Sequence, residues 1–320
     1  MERRPPGRQG TEQNKARLKL IKVCRLRPAA CGSDMTTILD RIAEIGFEFS
    51  PALVQKSIAL FAPTAPSPNE KRVLRDCAYG PDARHRLDIF LPEGGNEKRG
   101  VVVFVHGGGF IGGDKGAPGA PFYNNIGAWA AANGMIGVTM TYRLAPDHPW
   151  PAGAEDVAAA IDWLHAHVAE HGGDPDMVYL MGQSAGAAHV AAYVAHDAWR
   201  EHAERRLAGA IMLSGLYDIA RAERNAFQAA YYGEDDGDYA SRSSLEGFAK
   251  VSVPCFFTMA EHDPADFQRQ AEWARGVYAR NHGGSCGFAV CKGHNHITPV
   301  LQIGGPHDEL GPVLLNFINR

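Results

Sequence analysis

The sequence predicts an α/β fold: a mostly parallel sheet with helices on both faces. Three observations carry this. Gly100–His106 (GVVVFVH) is an almost unbroken apolar run, the mark of a central strand covered on both faces. Apolar strand-like runs alternate with helix-periodic runs along most of the chain, which implies parallel strands joined by crossover helices. Gly182-Gln183-Ser184-Ala185-Gly186 joins one such strand to one such helix.

The elements follow in order. Ile38, Leu39, Ile42 and Ile45 recur at steps of three and four, as on one helix face. Pro51 opens a second helix, Ala52 to Phe61, which Pro63, Pro66 and Pro68 end. His85–Leu91 alternates around Leu87, Ile89 and Leu91 as a strand, and Gly100–His106 and Met135–Tyr142 are buried strands. Ala154–Val168 puts Val157, Ile161, Leu164 and Val168 on one helix face. Met177–Gln183 is a buried strand and Ser184–His196 an Ala-rich helix. Leu207–Ser214 and Val253–Met259 read as strands. Pro264–Asn281 contains a helix, Gly287–Cys291 is a last strand and Gly311–Asn319 a last helix.

Composition narrows the function. The chain has 320 residues, 45% hydrophobic and 21% charged, which excludes disorder over its whole length. A net charge of -4 argues against nucleic acid as the main partner. The longest strongly apolar strand-like run, Val101–Val105, is far short of a bilayer span, and no N-terminal segment has the apolar length of a secretory signal. A cytoplasmic location is expected. The cysteines, Cys24, Cys31, Cys77, Cys255, Cys286 and Cys291, form no CxxC pair or zinc-knuckle spacing, so no metal site is expected. Residues 1–34 carry nine Lys or Arg against three acids and no core face. They read as a disordered basic extension to a domain over 35–320.

The strand and helix around Ser184 make its GxSxG a nucleophile elbow. The turn strains the serine, flanking glycines remove Cβ atoms that would collide, and the helix aims its positive end at developing negative charge. Upstream, His106-Gly107-Gly108-Gly109-Phe110 ends the central strand. The N–H groups of Gly108 and Gly109, with that of Ala185, would form an oxyanion hole. No Lys-Ser/Thr follows, as it would in a phosphate-binding loop. His106 reads as support for that loop rather than as a base. A serine also needs a base and an orienting carboxylate, and the chain order in such a fold is Ser, acid, His. After the strand Val253–Met259 comes Ala260-Glu261-His262-Asp263-Pro264, which puts Asp263 at a strand end, where a triad acid belongs. Thirty-three residues later comes Gly293-His294-Asn295-His296. Either histidine could be the base, and chain order together with the resemblance below selects His296. Asp235, Asp236 and Asp238 sit in a polar loop and read as surface.

These residues together resemble the hormone-sensitive lipase-like carboxylesterase family of α/β-hydrolases. The carriers are HGGGF at 106–110, YRLAPDHPWPA at 142–152, GQSAG at 182–186, HDP at 262–264 and the last histidine of HNH at 294–296. The resemblance covers roughly residues 36–320. It implies the α/β-hydrolase fold with a mostly parallel eight-stranded sheet. It implies Ser184 as nucleophile, Asp263 as acid, His296 as base, and an oxyanion hole from Gly108, Gly109 and Ala185. It also implies a small helical cap from residues 36–65 and about 216–248. Tyr142, Arg143, Pro146 and Pro151 read as scaffolding behind the oxyanion strand, with Glu155 and Asp156 favourable at the start of the next helix. Two departures stand out: Gln183 where the family often has Asp, and Ile297 where it usually has Gly or Ala. Both Gln183 and the HNH ending are similar to a kynurenine formamidase-like branch.

The expected reaction is hydrolysis of small, short- to medium-chain carboxylic esters through an acyl-enzyme, with no cofactor. The alternatives are a formamidase or other amide hydrolase, and a non-catalytic ligand-binding homologue. The expected partner is a small ester or amide, and the resemblance also allows a homodimer. Phe110, Trp150 and Tyr217 are the expected substrate-binding aromatics.

Overall fold

A computed structural model describes residues 24–25, 32–94, 98–284 and 286–320. The reading of 1–34 as a disordered extension thus falls outside the described residues, except at Cys24–Arg25 and from Gly32 on. One sheet organises the chain. Its strands are β1 (Cys24–Arg25), β2 (Val73–Ala78), β3 (Arg86–Phe90), β4 (Arg99–Val105), β5 (Ile136–Met140), β6 (Gly173–Gln183), β7 (Gly209–Leu213), β8 (Cys255–His262) and β9 (Gly287–Asn295). Their spatial order is β1-β9-β8-β7-β6-β4-β5-β3-β2. Strands β2–β9 are the expected eight, and the two-residue β1 adds a ninth at one margin. Among the described residues only the β2–β3 and β3–β5 pairs are antiparallel. The rest run parallel.

Alternation along the strands splits the core in two. Val101, Val103 and Val105 of β4 point to one face with Val178, Leu180 and Met212, whereas Val102 and Phe104 point to the other with Met181 and Ile211. On the first face lie α4 (Ala152–His167), α5 (Ala185–Ala195), α6 (Arg200–Glu204) and α9 (Ala265–Asn281). They contribute residues such as Ile161, Val190, Ala203 and Ala271. The opposite face is covered by α1 (Gly32–Ile45), α2 (Pro51–Phe61), α3 (Asn124–Ala132), α10 (Thr298–Leu301) and α11 (Gly311–Ile318). Ile42, Leu53, Trp129, Val300 and Leu314 pack there. A third apolar cluster joins Phe110 and Ala185 to Tyr231 and Tyr232 of α7 (Ala226–Tyr232) and Tyr239 of α8 (Tyr239–Arg242).

Besides β1 and the short helices α6 and α10, two longer elements are not expected from the sequence. Strand β2 (VLRDCA) carries two adjacent charges and a bulge between Leu74 and Cys77, so its alternation is broken. Those charges have partners: Arg75 and Lys115 both bind the carboxylate of the fully buried Asp88, and Lys115 also binds Asp76. Helix α3 (NNIGAWAAA) is apolar almost all round and buried along its first seven residues, so it shows little helical periodicity. Strand β9 also runs four residues further than expected, through Gly293, His294 and Asn295. Among the described residues no helix is long and apolar enough to cross a membrane.

Candidate active site

The elbow conformation is present at Ser184. Its backbone is at φ +56° and ψ -119°, a region that a residue with a Cβ rarely occupies. Sterics explain the flanking glycines. A Cβ on Gly186 would meet the carbonyl oxygens of Val105 and His106, and one on Gly182 would meet that of Gly186. The elbow therefore packs backbone to backbone against the end of β4. The Ser184 N–H donates to the Leu213 carbonyl at 2.9 Å, and Ala185 begins the eleven-residue α5. Ser184 is half-buried in otherwise buried surroundings.

Sheet register brings Asp263 and His296 together. Strands β8 and β9 pair His262 with Asn295, so Asp263 and His296 leave adjacent strand ends side by side. His296 Nδ1 lies 2.6 Å from Asp263 Oδ1, and Nε2 lies 2.9 Å from Ser184 Oγ. With an ionised Asp263, Nδ1–H donates to the carboxylate and Nε2 accepts the serine proton, a tautomer assigned from the network. Glu261 fastens the two strand ends by accepting from Lys292 Nζ at 2.6 Å and from the Gly293 N–H at 2.8 Å. Those two donors hold its carboxyl below the usual range.

His294 is the neighbour that the spacing alone left open. It does not reach Ser184. Its Nδ1 pairs with Thr298 Oγ1 at 2.8 Å, and burial lowers its imidazole to about 4. The middle residue of HNH organises the loop. Asn295 Oδ1 accepts from the N–H groups of Ile297 and Thr298, and its Nδ2 donates to Ser57 Oγ of α2 at 3.3 Å.

Gly108 is exposed and Gly109 half-buried, at φ +132° and +60°. Among the described residues their N–H groups donate to no carbonyl or side chain. The loop that carries them is held by its carbonyls. Tyr142 Oη donates to His106 O at 2.9 Å, Arg84 Nη2 donates to Gly113 O at 2.9 Å, and His106 Nδ1 lies 2.6 Å from Gly107 O. Burial lowers the His106 imidazole to about 4, so at neutral pH it is a neutral donor. Asp156 does more than face a helix end: its carboxylate accepts from the N–H and Nε of Arg143 at 2.7 and 2.8 Å and pairs with His85 Nε2 at 3.0 Å. Asp236 and Asp238 pair with Arg224 and Arg242 at the surface, away from this work.

Further contacts that the sequence does not reveal hold the site in place. Ser214 Oγ donates to Asp263 Oδ2 at 2.7 Å, and the Ala260 N–H donates to the same oxygen at 2.7 Å. Gln183 Nε2 donates to the His296 carbonyl at 3.2 Å, and its Oε1 occupies the space a Cβ on Gly107 would need. A backbone position with φ +50° at Ser214, one residue past a strand, becomes visible only once coordinates exist.

A family model described as alpha/beta hydrolase fold matches residues 102–297. The chain belongs to the α/β-hydrolase fold family. Curated relatives of this α/β-hydrolase include a "probable isoprenylcysteine alpha-carbonyl methylesterase" of Arabidopsis thaliana, 38% identical over 38% of this chain and 24% of that protein. "Probable carboxylesterase 1" of Arabidopsis thaliana is 32% identical over 45% of this chain and 52% of its own length. Esterase LipQ of Mycobacterium tuberculosis is 28% identical over 66% and 54%. The matched part thus spans between about a quarter and about half of these relatives. Among solved structures, a hyperthermophilic esterase of Pyrobaculum calidifontis superposes with a TM-score of 0.65 at 20% identity, covering 92% of this chain and 91% of that one. Esterase B of Lactobacillus rhamnosis gives 0.66 at 18%, covering 89% and 95%. At such identities the superpositions establish the shared fold.

Of the expected substrate-binding aromatics of this α/β-hydrolase, Tyr217 needs correction and the other two pack on neighbouring rings. Tyr217 has no exposed surface. Its ring packs on Phe248 and Phe257, and its hydroxyl accepts from the Gly215 N–H at 3.2 Å. Phe110 is buried and stacks on Tyr231 at 4.7 Å between ring centres. Trp150 is half-buried and stacks on Tyr232 at 5.7 Å. Phe110 packs the glycine loop, and Trp150 the 142–152 loop, against α7; Phe49 and Phe267 lie against His296, and Phe227 lies beside Gly109.

Proposed function

We propose that the protein is a serine hydrolase that cleaves carboxylic esters of small, short- to medium-chain substrates through an acyl-enzyme. One observation carries the reading: the Ser184–His296–Asp263 hydrogen-bond relay beside the unpaired N–H groups of Gly108 and Gly109. The esterase names of the curated relatives support it.

In this reading His296 Nε2 takes the proton of Ser184, and Oγ attacks the substrate carbonyl carbon. The N–H groups of Gly108, Gly109 and Ala185 hold the oxyanion, and removing one such donor typically costs 10²–10³ in rate. The imidazolium gives its proton to the alcohol oxygen as the C–O bond breaks, leaving the acyl on Ser184. Water then loses a proton to His296 and attacks the same carbonyl, and Ser184 departs as it regains that proton. Asp263 stays ionised throughout. Residues 36–65 and 216–248 act as the cap. In support, Phe49 meets His296, Ser57 accepts from Asn295, and Phe227 packs on Gly109. A cytoplasmic setting suits Cys77, Cys255, Cys286 and Cys291, all free thiols.

The test is release of p-nitrophenol from acetyl, butyryl, octanoyl and lauroyl esters by the native protein and by Ser184→Ala. Native turnover strongest on the shorter chains and lost in the variant is expected. No turnover of any ester, with turnover of formyl amides instead, would move the assignment to amide hydrolysis.

A further inference from the structure

Large apolar side chains exposed to solvent are few among the described residues: Phe49, Ile58, Ile111, Met177 and Phe227. Three of these five lie on segments bordering the relay. Ile111 is on the oxyanion loop, where its N–H donates to Gly108 O. Phe227, 46% exposed, begins α7 and would touch a Cβ on Gly109. Phe49, 45% exposed, meets the imidazole of His296 edge-on, with ring centres 5.1 Å apart and planes at 87°.

Phe49 is exposed yet not loose. Two residues before it, Phe47 stacks on His262 at 3.6 Å, beside the triad acid. One residue after it, Ser50 caps α2 by accepting from the Leu53 N–H at 3.2 Å. The chain is thus anchored on both sides, and the ring between is held against the base with almost half its surface uncovered. The chemistry assigns that surface. In ester cleavage the imidazole that took the serine proton must reach the departing oxygen to protonate it, so the leaving group passes along His296. Two rings border His296, Phe267 at 4.5 Å and Phe49 at 5.1 Å between ring centres, and of the two Phe49 is the one with a large exposed surface for the leaving group to meet. The acyl chain extends from the other side of the carbonyl carbon.

We infer that Phe49 is the leaving-group specificity residue of this site and that it selects substrates whose alcohol part is apolar and bulky, aromatic above all. An aryl group set against the free face of Phe49 gains apolar burial and ring packing that a methyl group cannot. The inference rests on the serine hydrolase reading above.

The test compares benzyl butyrate with methyl butyrate. The two share one acyl-enzyme and have alcohols of similar acidity, so their difference reports leaving-group recognition. The native protein is expected to favour the benzyl ester in kcat/KM by about tenfold. Phe49→Ala should bring the benzyl-to-methyl ratio in kcat/KM down to near one, whatever its effect on either rate taken singly. Phe49→Tyr should restore the ratio. Labelling of Ser184 by a fluorophosphonate in both variants shows that the serine is still reactive. A benzyl-to-methyl ratio equal in native and Phe49→Ala protein, with labelling retained, overturns the inference and leaves the serine hydrolase reading standing. Absence of both labelling and turnover in the native protein overturns the two together.

Discussion

Ser214 Oγ sits 2.7 Å from Asp263 Oδ2, so the Asp263 carboxylate is held from behind by a hydroxyl while its other oxygen faces His296. Ser214 itself occupies a left-handed backbone position, φ +50°, at the end of β7. A strained residue with a buried hydroxyl on the acid is a positioning residue. Hydrogen bonds to charged groups typically contribute about 1.5–3 kcal/mol. Ser214→Ala is expected to lower kcat by about tenfold with little change in KM, because Asp263, left with the Ala260 N–H alone behind it, would fix the imidazole less firmly. Ser214→Gly, which relieves the strain yet still lacks the hydroxyl, should show the same kcat loss. Steady-state kinetics on butyryl esters with both variants checks this.

The two histidines of the HNH run should separate cleanly. His296→Ala removes the base and is expected to lower kcat by about 10⁴ or more. His294→Gln keeps a polar group near Thr298 and should retain turnover within about fivefold, with a lower melting temperature. Activity and thermal melts on the two variants, side by side, decide it.

Two glycines offer a contrast in sterics. A Cβ on Gly186 would enter the carbonyl oxygens at the end of β4, whereas Gly276 lies mid-way along α9, exposed, with nothing within 4 Å of an added Cβ. Gly186→Ala should destabilise by more than about 2 kcal/mol and displace the elbow. Gly276→Ala should stabilise by about 1 kcal/mol, the usual gain at a helix interior, with activity unchanged. Chemical denaturation of both variants is the measurement.

Stability should fall on acidification. Burial lowers the imidazoles of His106 and His294 to about 4 and that of His189 to about 3. Unfolded histidines titrate near 6.5. Between those values the unfolded chain binds protons that the native chain refuses, so stability rises with pH through the window and drops as pH falls from about 6.5 towards 4. The slope is on the order of 1 kcal/mol per histidine per pH unit. Burial raises the Asp308 carboxyl, which acts in the opposite sense at the acid end of this window. His189 is ringed by Phe110, Tyr142 and Tyr231, and neither of its nitrogens has a partner among the described residues. His189→Phe should therefore flatten the pH dependence. Thermal melts from pH 7 to pH 5 on native protein and variant test it.

Much of this was legible in the sequence because it is local. The buried run 100–106, the elbow at 182–186 and the glycine loop at 107–109 carry their geometry in their own residue types. Chain order then paired Ser184 with Asp263 and His296. What stayed hidden is made by residues distant in sequence. Ser214 meets Asp263 across 49 residues, and Ser57 meets Asn295 across 238. Strand β2 was masked by charges that find their partners at Asp88 and Lys115, and α3 by having no polar face. Tyr217 reads as a ligand-facing ring in the sequence and is buried in the fold, because residue type does not say which side of the sheet edge a ring falls on.

The central claim is that Ser184, activated by His296, is an acylatable nucleophile. The most direct measurement is mass spectrometry of the protein after treatment with a fluorophosphonate, with ester turnover followed in the same sample. The account predicts one adduct per chain, on Ser184, formed in step with the loss of esterase activity and much slower in His296→Ala. Ester turnover that persists with Ser184 fully modified, or a Ser184 that stays unmodified while turnover is lost, would contradict it.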